Sequence, residues 1–367
     1  MKIRSICYTF VLLVSPLFAS FGQEHLNWIN PLKSGNANIV HGQGEGATAF
    51  SRLPESMEDE VRGPVWGLSR HAAGLKLKFA TDAKKITIRY TVSRAHGMPH
   101  MPATGVSGLD LYTKSDAGQW IWVKGNYSFA DTIKYEFPIV ADLKGNRNFD
   151  LYLPLYNEVL FLEIGLPDDA EFDFILNDPA ELPLVVYGTS IAQGACASRP
   201  GMAWTAILER NLNLPLINLG FSGNGQLEDP LITYLGKIES SIYILDCLPN
   251  LVRDSFDEKV VKERIVSAVN YLKEKRPDTP ILLVDHAGYT DDLINKDREE
   301  AYQLRNLWSR QAYEQLVAGG VEELYYLSRD GIGLSMDATV DGTHPSDLGM
   351  DQYARGYTAL IKEILNK

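Results

Sequence analysis

The period of the hydrophobic pattern changes near Pro179, and no single layered fold accommodates both halves. Over residues 28–176 apolar and polar side chains alternate in short stretches, as in Leu75-Lys76-Leu77-Lys78-Phe79, Ile86-Thr87-Ile88-Arg89-Tyr90 and the flanks of Gln119-Trp120-Ile121-Trp122-Val123. A period of two puts every second side chain on one face of a strand. Gly, Pro, Asn and Asp punctuate the stretches, and the pattern reads as an antiparallel β-sandwich. Residues 149–155 and 159–164 read as two further strands joined by 154–158. After Pro179, apolar runs at 184–187, 216–219, 241–246, 281–285 and 323–327 alternate with helical stretches at 203–211, 259–275, 297–318 and 348–366. Strand and helix in alternation build a parallel sheet covered on both faces. Such sheets bind ligands beyond the carboxyl ends of their strands.

The chain has 367 residues, enough for two domains with cores of their own, and neither an internal repeat nor a low-complexity tract. The expected division is a sandwich over 23–178 and an α/β domain over 179–367. Ahead of both, Lys2 and Arg4 precede an apolar stretch over 8–18, and Ser20-Phe21-Gly22 offers small residues where a signal peptidase reads. Residues 1–22 therefore read as a signal peptide, and the mature protein as periplasmic or secreted. The apolar stretch is shorter than the roughly 20 residues that span a bilayer, so no stable membrane insertion is expected once the leader is removed. Cys7 lies before most of that stretch, which argues against a lipid-modified cysteine at the cleavage point.

The formal net charge is −12, and loss of Lys2 and Arg4 with no acidic residue takes it to −14. No basic footprint marks a nucleic-acid partner. Acidity of this size disfavours strongly anionic polymers as substrates. Two cysteines remain, Cys196 and Cys247; an oxidising compartment permits a disulfide between them, and two buried thiols are the plainer alternative. No Cys/His spacing of the zinc type appears, and no metal or other cofactor is expected.

Chemistry concentrates in two segments. Val185-Val186-Tyr187-Gly188-Thr189-Ser190 is a buried strand ending in a turn, which puts the Ser190 hydroxyl where a nucleophile belongs. Val340-Asp341-Gly342-Thr343-His344-Pro345 sets a carboxylate three residues before a histidine, so Asp341 reaches one ring nitrogen while the other faces outward. Serine, base and orienter are then all present, and triads recur in several chain orders. Taken singly, Ser190 reads more readily as a turn or cap residue, and Asp341-x-x-His344 as an ordinary loop. Their joint occurrence with Asn218-Leu219-Gly220-Phe221-Ser222-Gly223-Asn224-Gly225 and Leu245-Asp246-Cys247-Leu248-Pro249-Asn250 tips the balance.

These four blocks resemble the SGNH/GDSL hydrolase superfamily, whose hallmarks are a Ser, a Gly, an Asn and a His in four separated segments. The matching residues are Ser190, Gly223, Asn250 and His344, with Asp341 completing the triad. Leu248-Pro249-Asn250-Leu251 stands where the family usually has Gly-x-Asn-Asp. Upstream, Gly108-Leu109-Asp110-Leu111-Tyr112 is similar to the Gly-x-Asp-Leu-Tyr motif of the amino-terminal domain of one subgroup. The resemblance implies a flavodoxin-like three-layer α/β/α domain preceded by an all-β, jelly-roll-like sandwich. It also implies a serine esterase whose oxyanion hole comprises the N–H groups of Ser190 and Gly223 and the Asn250 amide.

Two rival motifs fail. Gly220 to Gly225 lacks the lysine of a phosphate-binding loop, and Ala192 replaces the second glycine of the lipase-type Gly-x-Ser-x-Gly elbow. Three more histidines are candidates for contacting substrate. His286 follows the fourth strand at the same sheet edge, and His96 and His100 sit in the long loop over 94–104, which is of a length that commonly serves function. The leading expectation is an exported esterase that removes small acyl groups, acetyl foremost, from carbohydrate. The alternatives are a lipid or acyl-thioester hydrolase and a glycan-binding protein with a retired hydrolase domain; intact Ser190, Asp341 and His344 speak against the last.

Overall fold

The computed structural model describes residues 25–35, 38–140 and 146–366; the expected signal peptide, 1–22, lies outside the described residues. The first half folds into two antiparallel sheets. In spatial order, one consists of Leu26–Ile29, Val159–Pro167, Lys85–Val92, Ile133–Pro138 and Asn126–Ser128. The other consists of Phe172–Phe174, Lys76–Thr81, Arg147–Tyr152, Asp110–Lys114 and Trp120–Val123, with Val40–His41 also paired to Lys76–Thr81. Phe79, Leu111, Phe149 and Leu151 of the second sheet meet Ile86, Ile88, Tyr90 and Ile164 of the first in one core. The two strands expected over 149–155 and 159–164 fall in different sheets, so the chain between them crosses the sandwich.

The second half carries five parallel strands: β1 (Leu184–Gly188), β2 (Leu216–Gly220), β3 (Ile242–Asp246), β4 (Ile281–Val284) and β5 (Leu324–Leu327), in the order β2-β1-β3-β4-β5. This is the flavodoxin-like order, whose switch point lies beside the first strand. Alternate residues serve opposite faces. Val185, Tyr187, Tyr243 and Leu245 pack under helices Glu258–Lys275 and Lys296–Ala318, whereas Leu184, Val186, Ile242 and Ile244 pack under Trp204–Leu212 and Asp347–Leu365. A helix over Asp229–Leu235 has no counterpart among the expected elements. Seven residues are too few to display a helical period.

The two halves share a core: Ala73, Tyr112, Tyr152 and Tyr156 of the sandwich lie in the same apolar cluster as Trp204 and Tyr357. At the junction Lys76 is 2.9 Å from Asp150 of its own sheet and 2.8 Å from Glu209 of the α/β half. Burial opposes the lysine's charge, but the two carboxylates outweigh it and hold its pKa well above the ordinary value. No described helix is long and apolar enough to cross a membrane.

Candidate active site

β1 is buried along its whole length and delivers Ser190 to the carboxyl edge of the sheet, as the first residue of the short helix Ser190–Gln193. Thr189 caps that helix, its hydroxyl accepting from the Ile191 N–H at 3.3 Å. The turn is tight enough to need glycine at 188, where a Cβ would come within 2.7 Å of the Ala192 Cβ. Opposite, the loop before the last helix is closed by Val340 N–H donating to His344 C=O at 2.9 Å and Ser346 N–H to Ala338 C=O at 2.8 Å. Within it, Asp341 Oδ1 accepts from the N–H of Thr343 at 3.1 Å and of His344 at 2.8 Å. Its other oxygen lies 2.7 Å from His344 Nδ1, and His344 Nε2 lies 2.8 Å from Ser190 Oγ. Burial raises the Asp341 pKa, yet the hydrogen bonds from His344 and Thr343 outweigh it and hold the carboxyl below its ordinary value. The carboxylate therefore stays charged beside the ring.

Gly223 sits in a turn with φ +69°, a region that favours glycine. Among the described residues, neither its N–H nor that of Ser190 has a hydrogen-bond partner. Asn250 ends the 3₁₀ turn Leu248–Asn250 after β3. With its amide oriented to suit its neighbours, the oxygen accepts from the N–H groups of Asn224 and Gly225, both at 2.9 Å, and the NH₂ is turned away from them. The Leu-Pro-Asn-Leu context thus still brings the asparagine to the Gly223 loop.

The remaining candidates separate. His100, from the sandwich half, has its ring centroid 6.3 Å from that of His344, so the loop over 94–104 borders the cleft. His96 instead packs on Phe129 at 5.6 Å. His286 is at the expected sheet edge but only 1% exposed, stacked on Tyr302 and edge-on to Tyr289, with burial lowering its pKa to about 3. That ring belongs to the interior. Cys196 and Cys247 are free and buried. Cys196 lies near Asp341 and His344: its Sγ, an Asp341 oxygen and a His344 nitrogen fall within 4.8 Å of one another. A metal ion there would have to part His344 from Asp341 and displace the proton of a thiol that burial, reinforced by Asp341, pushes up to about 12.

Several partners of the site carried no local signal. Tyr156 donates to the Ser190 carbonyl at 3.3 Å, and Gln193 Oε1 accepts from Ser222 N–H at 3.0 Å while its Nε2 lies 3.2 Å from His71 Nδ1. Arg62 donates to the Asn224 side chain at 2.7 Å and pairs with Glu228. A cavity of about 450 Å³ at the domain junction is lined by Lys76, Lys114, Glu209 and Arg210, among others, and not by Ser190, Asp341 or His344.

The comparisons with known proteins agree with this architecture. Residues 181–362 match the model of the GDSL-like lipase/acylhydrolase family, and residues 26–172 match that of the amino-terminal domain of SGNH hydrolase-type esterases. A crystal structure from Bacteroides ovatus, described as a GDSL-like lipase, is 32% identical with a TM-score of 0.84, covering 93% of this chain and 98% of that one. A salicylyl-acyltransferase from a tetracycline biosynthetic pathway shares the fold at 19% identity and TM-score 0.72, covering 92% and 97%. So does an acetyl xylan esterase from the rumen bacterium Butyrivibrio proteoclasticus, at 11% and 0.55, covering 93% and 100%. No curated protein matches the chain. Fold and family together define an ester-hydrolysing enzyme. More narrowly, the chain belongs to the GDSL-like lipase/acylhydrolase family and carries the Gly-x-Asp-Leu-Tyr domain ahead of its hydrolase fold.

Proposed function

We propose that this protein is an exported serine esterase that removes small acyl groups, acetyl foremost, from carbohydrate, with Ser190, His344 and Asp341 as its triad. The observation that carries the reading is the unbroken line from Ser190 Oγ through both ring nitrogens of His344 to Asp341. A serine hydroxyl is a poor nucleophile until a base takes its proton. His344 Nε2 takes that proton as Ser190 Oγ attacks the acyl carbon, while Asp341 fixes the tautomer and steadies the imidazolium. The carbonyl oxygen becomes an oxyanion facing the N–H groups of Ser190 and Gly223 and the Asn250 NH₂. On collapse, His344 gives its proton to the departing sugar hydroxyl. Water then attacks the acyl-enzyme through the same base, releasing the acid and restoring Ser190.

The carbohydrate half of the reading draws on the sandwich half, which brings His100 to the edge of the cleft, and on fold neighbours named as carbohydrate esterases. Export rests on the leader pattern over 1–22. A lipid substrate has one observation in its favour. Leu293 and Ile294, 79% and 90% exposed, follow Thr290, which bonds to Gly342 in the His344 loop. Nitrophenyl acetate, butyrate and octanoate, followed by acetylated oligosaccharides, separate the two. The proposal expects acetate to be fastest and the oligosaccharides to release acetate; an octanoate preference would transfer the assignment to lipid.

A further inference from the structure

Arg52 is the most unusual charge in the molecule. It lies in the segment between Val40–His41 and Lys76–Thr81, in the sandwich half, yet it is fully buried at 0% exposure. Among the described residues no carboxylate pairs with it. All its hydrogen bonds go to backbone carbonyls: Nε to His71 at 2.9 Å, Nη2 to Leu68 at 2.6 Å, and Nη1 to both Asn218 at 3.1 Å and Gly220 at 2.7 Å. Its guanidinium carbon is 4.9 Å from the centroid of the Phe221 ring. Burial lowers its pKa to about 9, which leaves it charged at neutral pH.

An unpaired buried charge is costly, and an apolar side chain of similar volume fills such a place at less expense. The location of this one says what the charge does. Asn218 and Gly220 are in β2, and the chain passes directly from them into the loop that carries Gly223. Phe221 N–H in turn donates to Gly188 C=O at 2.9 Å, two residues before Ser190. Strand carbonyls at this edge carry partial negative charge, which opposes any oxyanion forming nearby. Nη1 of the guanidinium engages both of them while Nη2 and Nε hold the Leu68 and His71 carbonyls of the sandwich half, and the group adds a positive charge behind the loop; the single ammonium of a lysine does not span both sets of carbonyls, and a neutral amide lacks the charge.

We propose that Arg52 is a positioning residue for the oxyanion loop: its fork holds the end of β2 so that the Gly223 and Asn250 donors stay aimed at the acyl group. This rests on the reading of Ser190 as nucleophile. It makes the sandwich half part of the catalytic apparatus, independently of any contact with sugar.

The test uses R52K and R52Q in the full chain. R52K keeps the charge and loses the fork, whereas R52Q keeps a donor and loses the charge. Turnover of nitrophenyl acetate, thermal midpoint and near-ultraviolet circular dichroism are measured for each. The expected result is a kcat lower by about tenfold in R52K and about a hundredfold in R52Q, with KM within about threefold, because oxyanion donors act in the transition state. A merely structural arginine lowers the midpoint and leaves kcat alone. A folded variant with kcat within about twofold of the wild type overturns the proposal, and R52K decides alone if R52Q does not fold. S190A is run beside them: an active S190A brings down the reading of the site, whereas an inactive S190A with a full-rate R52K brings down only the role of Arg52.

Discussion

Asp110 of the sandwich half lies 2.8 Å from Arg199 of the hydrolase half, in the segment that follows the Ser190 helix. The same carboxylate accepts from Gly201 N–H at 2.7 Å and from Trp122 Nε1 at 2.9 Å, and Arg199 also donates to the Tyr112 hydroxyl at 2.6 Å. The acidic residue of the Gly-x-Asp-Leu-Tyr motif is therefore a latch between domains. Leu111 faces the sandwich core, and Tyr112 lies under Arg199 and Arg210. Asp110→Ala leaves a mostly buried guanidinium without its carboxylate, a change that costs on the order of 3 kcal/mol. The thermal midpoint is expected to fall by several degrees. An unchanged melting curve would mean that the latch carries no load.

Ser190→Ala is expected to lower kcat/KM on nitrophenyl acetate by at least about a thousandfold with no loss of melting temperature, since only the nucleophile is removed. His344→Ala is expected to match it. Asp341→Asn falls short of both, because losing an orienting carboxylate costs less than losing the nucleophile or the base. A Ser190→Ala variant retaining a tenth of wild-type kcat takes the residue out of this role.

Asn250→Ala is expected to reduce kcat by about a hundredfold and leave KM within a few-fold, the signature of a donor used in the transition state. The anchored amide oxygen is what makes the NH₂ a fixed donor rather than a mobile one. Equal losses in kcat and gains in KM would point to ground-state binding instead.

That Ser190, Asp341 and His344 come together was legible because a strand end and a punctuated loop at one sheet edge confine where a serine, a carboxylate and a histidine can meet. A parallel sheet covered on both faces followed from alternating strands and helices, and its flavodoxin-like class from the likeness to a family; the strand order itself came from the structure. Arg52 was not legible. It sits in a stretch without period, and its worth depends on carbonyls 166 and 168 residues away in the chain. His286 shows the reverse failure: its place after β4 was foreseen, but where a strand ends the alternation no longer says which way a side chain turns. Asp110 was visible only as a motif. In the sequence its partner Arg199 carries no mark that distinguishes it from the other arginines.

Asp246 ends β3 inside the fold, and burial raises its pKa to about 7 against the stabilising bond from the Tyr357 hydroxyl at 3.0 Å. A carboxyl that is harder to ionise in the folded state than in the unfolded one binds more protons when folded. Its penalty is absent near pH 4, grows as pH rises through the window between about 4 and 7, and is complete above 7, where three pKa units amount to about 4 kcal/mol. Asp246→Asn keeps the acceptor for Tyr357 and removes the titration. The variant is expected to gain in thermal midpoint relative to wild type as pH is raised from 5 to 8. A constant difference across that range removes Asp246 from the account.

The last expectation concerns the turn that carries His100. Met98 and Met101 exchange both backbone hydrogen bonds, Met98 N–H to Met101 C=O at 2.9 Å and the reverse at 3.1 Å, which pins the turn at its base. Thr104 ties the same segment to the Ser198 carbonyl at 2.7 Å, and Ser198 is bonded to Asp347 at the start of the last helix. His100 is thus held beside His344 by rigid contacts on both domains rather than by a loose loop. A group so placed touches the part of a substrate that extends beyond the acyl group. His100→Ala is expected to leave kcat/KM on nitrophenyl acetate within about threefold and to lower it about tenfold on acetylated oligosaccharides, roughly what one good contact contributes. Equal effects on the two substrates would place His100 in the support of His344, and no effect on either would make the turn a spacer.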